Sequence, residues 1–144
     1  METLKIKKLD KRATIPTYGT IDSAGADLYA LLDSEINIEP CESIMIRTGL
    51  AMAIPKGYVG LIYARSSLGT KKGLAPANKV GVIDADYRGE IMVCLYNHSK
   101  SIQTITPNER IAQIVITPFL QVNFLEAEEL PDTERGQGGF GSTN

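Results

Sequence analysis

Three of the chain's six arginines stand beside glycine or serine, and a fourth, Arg110, opens a short segment that ends in glutamine. Arg65 opens Arg65-Ser66-Ser67-Leu68-Gly69, and Arg88 lies in Asp84-Ala85-Asp86-Tyr87-Arg88-Gly89. Arg110 opens Arg110-Ile111-Ala112-Gln113, and Arg135 leads Arg135-Gly136-Gln137-Gly138-Gly139-Phe140-Gly141-Ser142-Thr143. A guanidinium beside hydroxyls and open backbone N–H groups is a donor set for phosphate oxygens. Repeated along the chain, the placement suits a polyphosphate ligand. The glycine-rich tail adds an aromatic face on which a base could stack. It is not a Walker loop, because the Lys-Ser/Thr ending and the strand-to-helix setting are absent. Serines at the start of a short helix after Arg65 would aim hydroxyls and free N–H groups at an oxyanion, although a capped turn uses the same residues.

Two carboxylates add chemistry of another kind. Asp84 directly follows the apolar Val82-Ile83, so at a pocket edge it could polarise a water as general base. Asp27, in Ala24-Gly25-Ala26-Asp27-Leu28, is an acidic group amid small residues where a metal-bound water could be held. Each, taken alone, also suits a purely structural place. Lys71-Lys72 reads as a solvated pair or as an attractor for a polyanion. His98, the one histidine, lies in a turn signal and is assigned no role. Cys41 and Cys94 form neither a CxxC pair nor a framework and are expected as buried free thiols.

The elements that position these residues are expected to be strands. The chain has 144 residues with 16 Ile, 6 Val and 11 Thr, and 13 Gly and 7 Pro to punctuate turns. Strands are predicted over 4–9, 43–54, 58–63, 80–83, 90–96, 101–105 and 110–116, which favours a sandwich or jelly roll. The runs Ile91-Met92-Val93-Cys94-Leu95-Tyr96 and Ile111-Ala112-Gln113-Ile114-Val115-Ile116 do not alternate apolar with polar, so cover on both faces is expected, part of it from another subunit. No long helix is expected. The net charge of −2 removes the strongest argument for nucleic-acid binding. No stretch approaches the roughly 18 to 20 apolar residues of a membrane span. The basic start lacks a signal-peptide pattern, so a cytoplasmic protein with neither membrane nor nucleic-acid partner is expected.

Five segments, Ala24-Gly25-Ala26-Asp27-Leu28-Tyr29-Ala30, Ala64 to Gly69, Gly81 to Gly89, Arg110 to Gln113 and Arg135 to Thr143, resemble in order the five motifs of the trimeric deoxyuridine triphosphatases. Departures are small: Asn144 stands where many members have glycine, and Asn108-Glu109 where Gly-Asp is common.

The resemblance implies an all-β, jelly-roll-like sandwich or barrel over residues 1–130, with a flexible Gly-rich C-terminal arm over 131–144 that closes on the nucleotide. It further implies a homotrimer whose active sites are shared between chains, and hydrolysis of dUTP to dUMP and pyrophosphate with Mg²⁺. That activity keeps uracil out of DNA and supplies dUMP for dTTP synthesis. By motif position, Asp84 is the catalytic base that activates water for in-line attack on the α-phosphorus, and Asp27 holds Mg²⁺ through water. Arg65, Ser66, Ser67 and Gln113 match phosphate-contacting positions. Arg135, Gly138, Ser142 and Thr143 match the part of the arm over the β- and γ-phosphates, with Phe140 stacking on uracil. Val82, Ile83, Asn78 and Met92 are expected to line the uracil pocket, and Tyr87 to pack under deoxyribose and exclude a 2′-hydroxyl. Two alternatives remain open: a dCTP deaminase of the same fold, whose pattern asks for a glutamate where Cys94 stands, and a non-catalytic dUTP sensor.

Overall fold

In the computed structural model, which describes residues 3–139, the chain forms twelve strands and one π-helical turn. The strands are β1 (Lys5–Lys8), β2 (Thr17–Tyr18), β3 (Ala26–Tyr29), β4 (Ile36–Ile38), β5 (Ser43–Arg47), β6 (Leu50–Ala53), β7 (Tyr58–Tyr63), β8 (Leu74–Pro76), β9 (Gly81–Ile83), β10 (Met92–Asn97), β11 (Gln103–Ile105) and β12 (Arg110–Pro118). They pair antiparallel in four sheets, ordered β2-β3-β12-β7-β9, β5-β10-β8, β1-β6 and β4-β11. This is the all-β jelly roll that composition and turn spacing led us to expect. Ala26, Leu28, Ile62, Ile111 and Ile114 from the five-stranded sheet meet Ile46, Val93 and Leu95 from the three-stranded one in a single core. Burial of such β-branched and leucine side chains contributes about 1.5–3 kcal/mol each.

The segment expected as one strand over 43–54 is two. At Gly49 the backbone turns with φ +70°, and a methyl group there would lie 2.7 Å from Leu31 Cδ2 and 2.8 Å from the Ala13 side chain. Glycine alone meets both demands, and the break sends β5 to β10 and β6 to β1. Four strands went unpredicted, β2, β3, β4 and β8, each of two to four residues. The thiols also differ from expectation: Cys41 is exposed, in a turn at φ +63°, and Cys94 is half-buried. In β10 the burial alternates, with Val93, Leu95 and Asn97 inside and Met92, Cys94 and Tyr96 on a partly open face. Asn97 is fully buried yet satisfied: its amide donates to the carbonyls of Ile38 and Ser101 at 2.8 and 2.9 Å and accepts from Ser99.

After Pro118 the chain runs through 119–139 with no strand or helix. Leu120, Phe124 and Leu125 are 86%, 97% and 91% exposed there. No described helix is long and apolar enough to cross a membrane.

Candidate active site

Three of the motif segments converge on one face of the five-stranded sheet. Asp27 in β3 is the register partner of Gln113 in β12, which in turn faces Tyr63 in β7, so the three side chains form one lateral row. Arg65 follows two residues after Tyr63 and returns over that row. Its Nε donates to Asp27 Oδ1 at 2.6 Å, and Arg110 Nη1 donates to Asp27 Oδ2 at 3.3 Å.

Arg110 reaches Asp27 because β12 is irregular. Residues three apart in a regular strand point to opposite faces, which would separate Arg110 from Gln113. A bulge between Arg110 and Ala112 instead pairs Arg110 with Tyr29 and Ala112 with Leu28, placing Arg110 and Gln113 on the same side. Gln113 is anchored by donation from Nε2 to the carbonyl of Ala64 at 3.0 Å. Its Oε1, Cδ and Cβ fill the space where a Gly25 side chain would begin, so only glycine lets the two strands close at this point.

The result is an open pocket of about 460 Å³ bounded by Ser23, Gly25, Asp27, Arg65, Ser66, Arg110 and Gln113. Its charged groups are two guanidiniums and one carboxylate, so it is net positive, and the Asp27 side chain is 12% exposed. A mostly buried carboxylate between two cations is an orienting counter-ion: it holds both forks in place without neutralising them.

The helix expected after Arg65-Ser66-Ser67 is the π-helical turn Leu68–Lys72, and its serines act differently from a cap. Ser67 makes no capping hydrogen bond; its hydroxyl accepts from Arg65 Nη1 at 3.2 Å, which steadies the guanidinium. Ser66 lines the pocket, while Ser67 does not. Lys72 is not a solvated charge but bonds Glu109 at 2.6 Å.

A second pocket of about 250 Å³ lies at the β9–β10 hairpin, lined by Met45, Val82, Ile83, Asp84, Tyr87, Glu90 and Met92. Most of the lining is apolar, with Asp84 and Glu90 at its rim. Tyr87 donates from its hydroxyl to the carbonyl of Glu90 at 3.0 Å, so the ring stands across the hairpin opening. Glu90 is in turn held by Arg47 at 3.0 Å and by the Gly49 N–H at 2.8 Å. Asn78 lies outside this lining, in the turn before β9 beside Gly81. Sequence reasoning did not name Met45 or Glu90. Met45 comes from β5 through its pairing with Cys94, a register no local pattern displays.

The two pockets share no residue. In β7, Tyr63 marks the row of Gln113, whereas Ile83 of β9 pairs with Gly60 and Asp84 falls level with Val59. Four residues along the strand are about 13 Å and two strand spacings about 10 Å, which separates Asp84 from Gln113 by about 16 Å within one chain.

Of the arm residues, Arg135 donates from Nε to the carbonyl of Gly138 at 2.7 Å in a local turn, apart from both pockets. Phe140, Ser142 and Thr143 lie outside the described residues. His98 packs edge-on against Tyr96, with ring centroids 4.6 Å apart, and lines neither pocket.

A family profile described as dUTPase matches residues 11–144. A deoxyuridine 5'-triphosphate nucleotidohydrolase of Nautilia profundicola is 52% identical over 140 residues, 97% of each chain. One from Janthinobacterium sp. is 47% identical over 146 residues, 99% of this chain and 98% of that one. Among solved structures, a mutant dUTPase of Staphylococcus bacteriophage 80alpha with dUpNHpp superposes with a TM-score of 0.87 at 30% identity, covering 99% of this chain and 98% of that one. A mutant dUTPase from phage phi11 of S. aureus, described as revealing the coordination of a structural Mg(II) ion, gives a TM-score of 0.77 at 27% identity over 89% of this chain and 98% of that one.

Proposed function

The chain belongs to the dUTPase family and is a dUTP diphosphatase, and from that premise we propose that it splits dUTP into dUMP and pyrophosphate by in-line attack of an Asp84-activated water on the α-phosphorus. The observation that carries this reading is the division of the site into two halves of complementary chemistry. One half is a net-positive pocket of guanidiniums, hydroxyl and amide; the other is an apolar slot with a carboxylate at its rim.

In this reading, the slot at Val82, Ile83 and Met92 receives uracil, with Asn78 at its approach, and Tyr87 packs against deoxyribose and leaves no room for a 2′-hydroxyl. Asp84 accepts the proton of the attacking water as general base. Arg65, Ser66 and Gln113 bind the triphosphate, with Ser67 steadying the Arg65 guanidinium rather than lining the pocket, and charge developing on the leaving pyrophosphate is met by donors already in place. The arm over 131–144 closes with Arg135, Gly138, Ser142 and Thr143 on the outer phosphates and Phe140 on the base.

Reacting atoms must approach to about 3–3.5 Å, so a separation of about 16 Å between Asp84 and the phosphate pocket supports a working site that joins the hairpin of one copy to the phosphate pocket of another. A homotrimer with three shared sites provides that arrangement. The open faces of β10 and the exposed apolar residues of 119–125 support the same assembly, since they are surfaces that a second copy would cover.

The protein's own groups bear on the metal as well. Among the described residues no three His, Cys, Asp or Glu side chains gather into a cage. This fits Mg²⁺, a hard cation that keeps several waters and takes most of its other oxygens from substrate phosphates. Asp27 would hold it through water, and when bound the ion supplies neutralisation of phosphate charge. The expected setting is cytoplasmic, where the reaction limits uracil in DNA and supplies dUMP.

The direct test is pyrophosphate release from dUTP, dCTP, dTTP and UTP, with and without Mg²⁺, with the nucleotide product identified by chromatography. Mg²⁺-dependent dUMP from dUTP alone is expected. Ammonia and dUTP from dCTP would move the chain to the deaminase branch, and tight dUTP binding without turnover would make it a sensor.

A further inference from the structure

Glu109 stands outside both pockets, yet it immediately precedes Arg110 and bonds Ala30 at the end of the Asp27 segment and Lys72 in the turn after the Arg65 segment. Its Oε1 accepts from Lys72 Nζ at 2.6 Å, and Lys72 is the last residue of the turn that follows Arg65-Ser66-Ser67. The same ammonium donates to the carbonyl of Thr104 at 2.8 Å. The other carboxylate oxygen accepts the Thr106 N–H at 3.0 Å and the Thr106 hydroxyl at 3.3 Å, closing the turn that leads into β12. The Glu109 carbonyl accepts the Ala30 N–H at 2.8 Å, and the Asn108 N–H donates to the Ala30 carbonyl at 2.9 Å, at the end of β3.

The next residue is Arg110. Its guanidinium shares Asp27 with Arg65, so the mutual angle of the two forks depends on how the 66–72 turn sits against the 106–109 turn. Side-chain exposures of 34% for Lys72 and 21% for Glu109 put this ion pair apart from freely solvated ones, whose contribution is small. We propose that Glu109 and Lys72 are positioning residues for the phosphate pocket, holding Arg65 and Arg110 in the alignment that binds a triphosphate chain. Neither residue lines the pocket, so both act through the backbone turns they join.

The proposal rests on the dUTP reading given above, and its test separates the two. Glu109→Gln keeps the side-chain volume and an acceptor for Thr106 while removing the charge from Lys72. KM and kcat for dUTP, and the affinity for inorganic tripolyphosphate by calorimetry, are measured well below the unfolding temperature. The expected result is a rise of about tenfold in KM and a matching loss of tripolyphosphate affinity, with kcat changed less than threefold. Lys72→Met should reproduce this, and adding it to Glu109→Gln should worsen it by less than twofold. A merely structural role would lower the unfolding temperature and the active fraction while leaving KM unmoved. KM and tripolyphosphate affinity within twofold of wild type in both single variants would overturn the proposal. Should Glu109→Gln fail to fold, Lys72→Arg, which keeps the charge but displaces the donor, decides the matter by the same KM criterion. If the wild-type chain turns over no dUTP, the activity reading falls, while the tripolyphosphate measurement still decides the role of the pair.

Discussion

Replacing Gly25 by alanine tests whether the close approach of β3 and β12 is what presents Gln113 to the ligand. The new methyl would run into Gln113 Oε1 and lie 3.0 Å from its Cδ and 3.2 Å from its Cβ, against an ordinary carbon contact of about 3.5–4.0 Å. The amide can rotate away, but Cβ is tied to the backbone of β12, so rotation alone does not relieve the clash. Swinging the amide breaks its hydrogen bond to the carbonyl of Ala64, at about 1 kcal/mol, and leaves the side chain off its rotamer for about another 1 kcal/mol. A loss of about 2 kcal/mol lowers the unfolding temperature by about 4–8 °C for a chain of this size. In the active site the displaced amide forfeits a bond to a charged phosphate, about 1.5–3 kcal/mol, or about 10- to 100-fold in kcat/KM. The assay is pyrophosphate release in a double-mutant cycle with Gln113→Ala. In that background the methyl meets only the remaining Cβ, so Gly25→Ala should lower kcat/KM by less than about threefold. Wild-type kcat/KM in Gly25→Ala, or a full and additive penalty in the Gln113→Ala background, would refute the reasoning.

Asp84→Asn should keep dUTP affinity within a few-fold while lowering kcat by about 10²–10⁴, the usual worth of a positioned base, as read by calorimetry and single-turnover kinetics; unchanged turnover removes Asp84 from that role. Tyr87→Ala opens the slot beside the sugar and should raise kcat/KM for UTP relative to dUTP, and an unchanged ratio rejects the ring as the sugar filter. Acid should destabilise the fold through carboxylates held below their usual range. Burial pushes Glu109 up, but the Lys72 ammonium and the Thr106 N–H outweigh it and hold the group below the usual carboxylate range, while hydrogen bonds from Arg12 bring Asp10 down to about 2. Groups depressed in the folded state stabilise it above their unfolded values and lose that contribution as pH falls through the folded ones. The unfolding temperature should therefore drop as pH falls through the carboxylate range, and less steeply in Glu109→Gln; parallel curves for the two proteins would contradict the assignment.

The Arg65 segment was legible as a candidate anion site because arginine beside serine suits an oxyanion, although a capped turn uses the same residues. The Asp27 and Arg110 segments stood out on other grounds, a carboxylate amid small residues and an arginine followed by a glutamine, and nothing local showed that the three meet. The long apolar strands β7, β10 and β12 were legible because their periodicity or its lack is written locally. Strands β2, β3 and β8 were not. β3 is a strand because β2 and β12 flank it and supply its hydrogen bonds, and that is tertiary context rather than propensity. The face on which Arg110 points was also hidden, because its spacing from Gln113 argues for opposite faces and only the bulge reverses that. Lys72 and Glu109 are 37 positions apart, and nothing in either neighbourhood marks the other.

Asp27 pairs two guanidiniums, and in the proposed reading it also holds the water of a metal ion, two demands that look incompatible. An ionised carboxylate offers about four acceptor positions on its two oxygens. Arg65 Nε takes one on Oδ1 and Arg110 Nη1 one on Oδ2, which leaves about two for water. The arginine contacts also set what the carboxylate can do with those. Both of its oxygens are already oriented, so it is poorly placed to wrap an ion as a bidentate ligand but well suited to accept from a water on one. The pairing has an electrostatic consequence before any ligand arrives: without Asp27 the guanidiniums of Arg65 and Arg110 would repel across a confined pocket and turn outward. A single carboxylate therefore suffices where a dense acidic cluster would repel the triphosphate. In the proposed reading the net positive charge left over draws the polyanion in, so Asp27→Asn should weaken tripolyphosphate binding, measured by calorimetry, by disordering the arginines even though it removes a negative charge from the pocket.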